Sequence, residues 1–305
     1  MVNNALKLLV TGGTGLLGYN LVQQLLKKGY SVYPTYNKNT PFKLAGARWS
    51  KVNLEDPSQL TQLFRDIKPD AVIHTAAYTD VDGCELHRER AYRINFLASM
   101  TVARLAARHG SLLIYVSTDY VFDGDKGMYR EEEAPNPINY YGLSKLLGEV
   151  ATLSAMDKEN VLVVRVSGLY GYSPTGKRNF GINVLEKLLR GEEVRAFYDQ
   201  YLSPTYTYFL SRRLIDVLER EIRGVLHLAG ERLSRLEFAQ LIAKVLGADA
   251  ELIKPISMKE ANLPARRPRD SSLDTTMAKK LGLELPSQEE SVKHFVNIYR
   301  NAIGV

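Results

Sequence analysis

Tyr141 and Lys145 stand four residues apart in Tyr140-Tyr141-Gly142-Leu143-Ser144-Lys145. On a helix that spacing puts both side chains on one face. An ammonium beside a phenol favours the phenolate and pulls the Tyr pKa below its free value. Such a phenol can exchange a proton with a sugar or alcohol oxygen near neutral pH. The pair alone carries little weight, because with 18 Tyr in 305 residues about one such coincidence is expected by chance. A solvated helix face reads the same way. The chemical reading needs a nucleotide site and a third polar group elsewhere in the chain.

The nucleotide site is read near the start. Residues 6–10 are an apolar run that predicts a buried strand, followed by Thr11-Gly12-Gly13-Thr14-Gly15-Leu16-Leu17-Gly18. Leu17, Leu21 and Leu25 then share one helical face, closed by Lys27, Lys28 and Gly29. Strand, glycine-rich turn and helix are the setting of a dinucleotide fingerprint. Gly12 permits the tight turn, Gly15 lets backbone approach a pyrophosphate, and Gly18 lets helix and strand pack closely. A second strand is expected over 31–36, with Pro34 unusual inside it. Its end carries Tyr36, Asn37, Lys38 and Asn39, where an NAD site would carry an acid for the ribose hydroxyls. Lys38 can pair with a 2′-phosphate that an acid would repel, which favours NADPH over NADH. A plain turn fits as well, so NADH stays open.

The third polar group follows from the sheet. Strands are expected over 47–52, 71–74 and 112–117, with a helix over 57–67 opened by Pro57. The strand over 112–117 ends at Ser117-Thr118, and in an open parallel sheet ligands bind outside such carboxyl ends. The loop over 119–139, rich in Asp, Gly and Pro, delivers Tyr141 onto its helix. Asp80, Asp82 and Glu85 raise the question of a metal, but Asp82 and Glu85 have capping-box spacing for a helix expected over 83–109. The five His are dispersed, and no metal site is expected.

Composition, at 45% hydrophobic and 24% charged, is that of an ordinary globular protein. Cys84 is the only cysteine, which excludes a disulfide scaffold or Cys-based metal site and suits a reducing compartment. No apolar run reaches bilayer-spanning length, and Met1-Val2-Asn3-Asn4 lacks signal-peptide architecture, so a cytoplasmic location with no membrane partner is expected. The net charge of +6 is spread along the chain, which argues against nucleic acid and suits an anionic small molecule.

Longer strings carry a resemblance. Asp70-Ala-Val-Ile-His-Thr-Ala-Ala-Tyr-Thr-Asp-Val-Asp82, Ser117-Thr-Asp-Tyr-Val-Phe-Asp-Gly124 and Tyr141-Gly-Leu-Ser-Lys-Leu-Leu-Gly-Glu149 resemble the dTDP-4-dehydrorhamnose reductase family of extended short-chain dehydrogenase/reductases. So do Asp199-Gln200 with Ser203-Pro204-Thr205, Gly224-Val-Leu-His-Leu228 and Ala265-Arg-Arg-Pro-Arg-Asp-Ser-Ser-Leu-Asp274. The resemblance implies an α/β fold, a doubly wound parallel (Rossmann) sheet with a smaller C-terminal α/β substrate domain. It implies reduction of a 4-keto group on a deoxyhexose linked to a nucleoside diphosphate. Matched position by position, Thr118, Tyr141 and Lys145 are the implied catalytic triad. The implied cofactor set is Gly12, Thr14, Gly15, Leu16, Leu17, Gly18, Asn37, Lys38, Asn53, Leu54, Ala76, Ala77, Tyr78 and Asn95, with Tyr141 and Lys145. Thr79, Val81, Thr118, Asp119, Gly168 and Arg267 are the implied substrate set, with Arg267 near the diphosphate. Gly168 stands where these reductases usually carry Trp against the sugar, and Asn53 where they often carry Asp. The Gly168 variant, Tyr129-Arg-Glu-Glu132 and Ala265-Arg-Arg-Pro-Arg-Asp270 also resemble the regulatory beta subunits of methionine adenosyltransferase, which implies a binding partner that keeps the NADP site. A sugar-nucleotide epimerase or dehydratase is the third reading.

The expected domains interleave: 1–167 with 203–229 around the cofactor, and 168–202 with 230–305 around the sugar nucleotide. A homodimer is allowed for. A sixth strand over 161–165, helices over 183–190 and 209–221 and a strand over 225–228 complete the outline. Ser234 and Glu237 predict a capping box on one further helix.

Overall fold

The computed structural model describes residues 6–39, 41 and 43–304. Met1-Val2-Asn3-Asn4, read above for a signal peptide, lie outside the described residues.

The chain alternates strand and helix. β1 (Lys7–Thr11), α1 (Leu16–Lys27), β2 (Ser31–Tyr36), β3 (Ser50–Lys51), α2 (Pro57–Ile67) and β4 (Ala71–His74) make the first half of a sheet. After α3 (Val81–Leu86), α4 (Arg88–Ala91) and α5 (Ala98–His109) come β5 (Leu112–Thr118), α6 (Tyr140–Ala155) and β6 (Val161–Val166). β7 (Leu169–Tyr170), α7 (Phe180–Leu189), β8 (Val194–Phe197), β9 (Tyr201–Leu202) and β10 (Thr205–Tyr206) lead to α8 (Thr207–Glu219) and β11 (Gly224–His227). The chain ends with β12 (Leu233–Ser234), α9 (Arg235–Leu246), β13 (Ile253–Ile256), α10 (Thr276–Lys280) and α11 (Gln288–Ile303). Seven strands form one parallel sheet in the order β11-β6-β5-β4-β1-β2-β3. The order reverses between β1 and β4, which opens a crevice at their carboxyl ends.

Strand periodicity divides the core. Leu8 and Val10 of β1 point to the face covered by α1 and α8, where Leu17, Leu21 and Leu25 meet Leu210 and Leu214. Leu9 points to the other face, against Phe64 of α2 and Val102 and Ala106 of α5. Each such fully buried side chain contributes about 1.5–3 kcal/mol. A second core gathers Tyr170, Ile182, Leu185, Phe238, Ile242, Val292 and Phe295 from α7, α9, α11 and β7.

Three expectations need correction. The strand over 47–52 shrinks to Ser50–Lys51, a short edge strand. That edge accommodates Pro34: the carbonyls of Val32 and Tyr36 accept from Arg48 and Val52, so Pro34 also faces β3, whose pairing begins only at Thr35. The single helix over 83–109 is broken at His87, and Tyr92–Leu97 form a π-helical turn before α5. The capping residue is Asp80, which accepts from the Gly83 amide at 2.9 Å, rather than Asp82. Asp82 is engaged by the C-terminal segment instead, accepting from Ala265 N at 3.1 Å and pairing with Arg267 at 2.7 Å. The Ser234–Glu237 capping box on α9 is present.

Candidate active site

The glycine-rich turn sits where β1 gives way to α1. Gly12 has φ 72°, and a Cβ there would lie 2.9 Å from Ala76 Cα. A Cβ on Gly18 would lie 2.2 Å from the Gly12 carbonyl oxygen. The turn is pinned by Thr35, whose hydroxyl accepts from Gly12 N at 3.2 Å. Gly15 caps α1 without a side-chain hydrogen bond, which leaves the helix N-terminus for an anion. Gly18→Ala is expected to cost about 1–3 kcal/mol through overpacking against backbone. A lowered midpoint of thermal unfolding reads this out; an unchanged midpoint would mean the turn yields freely.

Opposite this turn, β5 and α6 bring in the reactive groups. Asn139 caps α6 by accepting from Gly142 N at 2.8 Å, and its amide donates to Arg266 O at 2.9 Å. This fixes the helix start, and with it Tyr141. The Tyr141 ring meets Tyr120 edge to face at 5.8 Å. Its pKa is raised, first by burial, with the nearby Thr118 hydroxyl working the other way. The shift is thus opposite to the depression expected from Lys145. Burial also lowers Lys145, to about 7, against the pull of Glu149. The Lys145 ammonium donates to Val116 O at 2.8 Å and lies 4.1 Å from the Tyr115 ring centre. Thr118 donates to Asp119 at 3.0 Å, and Ser167 and Ser271 donate to the same buried carboxylate at 2.8 and 2.5 Å. Burial raises the Asp119 pKa in spite of these three hydroxyls.

One cleft of about 640 Å³ joins these parts. Gly12, Thr14, Gly15, Leu16, Leu17, Gly18, Asn37, Lys38, Asn53, Leu54, Ala76, Ala77 and Tyr78 line it, as do Thr118, Tyr141 and Lys145. Of the expected substrate contacts, Thr79, Val81, Asp119 and Gly168 line it too. Asn95 does not. Buried in the π-helical turn, it accepts from Tyr78 N at 2.8 Å and donates to Tyr78 O and Ser144 Oγ at 3.0 Å each. It thereby ties the loop after β4 to α6. Arg267 is also absent from the lining, and its guanidinium is paired with Asp82. Gly168 has φ 50°, and a Cβ there would lie 2.2 Å from Leu202 Cδ1, so Leu202 occupies the space a larger residue would need.

A sequence model of the RmlD substrate binding domain matches residues 6–301. The chain belongs to that family. It is 35% identical over 93% of its length to the dTDP-4-dehydrorhamnose reductase of Mycobacterium tuberculosis, 90% of which is covered. It is 32% identical over 92% of its length to methionine adenosyltransferase 2 subunit beta of Danio rerio, 86% of which is covered. The crystal structure of dTDP-4-dehydrorhamnose reductase from Bacillus anthracis in complex with NADP superposes with a TM-score of 0.85 at 32% identity, covering 95% of this chain and 98% of that one.

This member of the RmlD substrate binding domain family also lines its cleft with residues that sequence reasoning passed over: Arg90, Tyr120, Lys177, Arg178, Phe180 and Arg235. Arg178 is neutralised by Glu186, and Arg90 lies over the Tyr78 ring at 4.7 Å. Arg235 lies over the Phe180 ring at 4.7 Å, donates to Gln200 Oε1 at 3.3 Å and has no carboxylate within ion-pair distance among the described residues. Its only signal in the sequence was a position immediately after a helix cap.

Proposed function

We propose that the protein is an NADPH-dependent reductase of a 4-keto deoxysugar carried on a nucleoside diphosphate, as in dTDP-4-dehydro-L-rhamnose. The observation that carries this is the convergence of Thr118, Tyr141 and Lys145 on the cleft that the Gly12–Gly18 turn also lines. The similar reductases and the NADP-bound relative support it. The residues fit a dinucleotide: the turn is free of any Cβ at Gly12, Gly15 and Gly18, the first turn of α1 has no side-chain cap, and Ser117 Oγ on the cleft wall is buried without a partner.

When bound, a reduced nicotinamide supplies the hydride to the carbonyl carbon of the sugar. Tyr141 holds a proton on its phenol oxygen and delivers it to the developing alkoxide. Thr118, on the wall of the same cleft, orients the carbonyl oxygen. Lys145 holds the ribose beside the nicotinamide and, when charged, eases the departure of the Tyr141 proton. Arg235, a cleft guanidinium with no carboxylate within ion-pair distance among the described residues, faces the substrate's diphosphate, which its planar fork can bind through two parallel hydrogen bonds.

Lys38 and the absence of a carboxylate at residues 36–39 favour the 2′-phosphate. Because Lys38 is exposed, the preference for NADPH over NADH is expected to be modest, about 3–10-fold, and to shrink with added salt. Fluorescence titration of both cofactors measures it; equal affinities at low salt would remove Lys38 from the cofactor site. The similarity to methionine adenosyltransferase beta subunits supports a second reading, a regulator that binds NADPH without turnover.

A further inference from the structure

Lys145 is 2% exposed, and its ammonium has one carbonyl acceptor, Val116 O, and the face of the Tyr115 ring. That is a poor exchange for water, and burial alone drives such a group towards the neutral amine. The titratable groups around it come from three elements: His74 on β4, Tyr115 on β5, and Tyr141 and Glu149 on α6. His74 is buried between Thr11 at 2.6 Å and Ser99 at 3.0 Å, and burial and the Lys145 charge lower its pKa to about 3, so it stays neutral. The Tyr115 and Tyr141 pKa values are raised, so both phenols are uncharged. Glu149 is the carboxylate that supports the ammonium against burial.

Glu149 lies one helical turn beyond Lys145, on the same face, and is also 2% exposed. It does not pair with Lys145. Arg165 on β6 takes it instead, donating from Nε at 3.1 and 3.3 Å and from Nη2 at 2.9 Å. Arg165 is itself fixed by the Glu131 carbonyl at 3.3 Å and by the Phe122 ring at 5.1 Å. The guanidinium on the sheet thus fixes the carboxylate, one helical turn from Lys145 on the same face of α6.

We propose that Glu149 is a positioning residue for the reaction: its carboxylate, locked in place by Arg165, favours the charged form of Lys145 from one helical turn away. The proposal rests on the reading of Lys145 as the residue that holds the ribose and assists Tyr141, but its test does not need the reaction.

The experiment is a pH titration of the Lys145 side chain by NMR in cofactor-free protein carrying ¹³C at lysine Cε, with Lys145→Met to assign the signal. In Glu149→Gln, which keeps the shape and one acceptor for Arg165, the Lys145 midpoint is expected to fall by about one pH unit or more. In Glu149→Asp, which keeps the charge, it stays within a few tenths of the parent. A carboxylate that served packing alone would leave the midpoint where it was in both. If Arg165 left unpaired prevents Glu149→Gln from folding, the double variant Glu149→Gln with Arg165→Met removes both buried charges, and the same downward movement is expected. NADPH affinity then divides the variants: Glu149→Gln matches the parent at low pH and loses about tenfold relative to it as the pH rises past the shifted midpoint. A Lys145 midpoint unchanged in the Gln variants overturns the proposal, whether or not the protein reduces a sugar.

Discussion

Tyr141→Phe is expected to bind NADPH as the parent does and to lose about 10²–10⁴-fold in turnover of a 4-keto sugar nucleotide, the usual worth of a positioned acid. The ring keeps its edge-to-face contact with Tyr120, so the change removes an oxygen and little packing. The pH dependence has a definite sign. The Tyr141 pKa is raised, so the phenol retains its proton through neutrality and the acid is not lost as pH rises into the mildly alkaline range. Lys145, lowered to about 7, gives up its charge first, so a decline in the mildly alkaline range belongs to Lys145. Its sign for stability follows: a lysine whose folded pKa lies below its unfolded value favours the folded state more as pH rises from about 7 towards 10.5 and contributes no such gain below 7. Parent-like turnover in Tyr141→Phe would place the proton donor elsewhere.

Arg235→Ala is expected to raise the KM for the nucleotide sugar by about 10- to 150-fold, the equivalent of about 1.5–3 kcal/mol for one charge-assisted contact. NADPH affinity should change little, because the cofactor's pyrophosphate is expected at the Gly12–Gly18 turn and not at Arg235. Arg267→Ala should have the weaker effect, since its guanidinium is committed to Asp82 and the change acts through the segment around Val81. Steady-state kinetics on the two variants compares them. A larger KM rise for Arg267→Ala would move the diphosphate to the C-terminal segment.

The parts of the fold that local physics dictates were readable. The helix over 57–67 and the strand over 71–74 agree with the structure residue for residue, because each has uninterrupted periodicity and clear terminators. The glycine turn was readable because only glycine tolerates the Gly12 φ and the Gly18 contact with backbone. The π-helical turn was not, since its cause is tertiary: Asn95 is claimed by the backbone of Tyr78, far outside any helical repeat. Asp82 misled for a similar reason, its capping spacing being local and its partner 185 residues away. The sign of the Tyr141 shift was missed because a pairwise argument about Lys145 ignores the desolvation that acts on both groups. Arg235 carried no motif, and only the packing of α9 against α7 brings it to the cleft.

Incubating the purified protein with NADPH and a 4-keto-6-deoxysugar nucleotide, and following the loss of reduced nicotinamide, tests the central claim most directly. The expected result is NADPH consumption that requires the sugar nucleotide, yields the 4-hydroxy sugar and disappears in Tyr141→Phe. NADPH that binds tightly and survives every 4-keto sugar nucleotide offered would contradict a reductase and leave the cleft as the cofactor site of a regulatory protein.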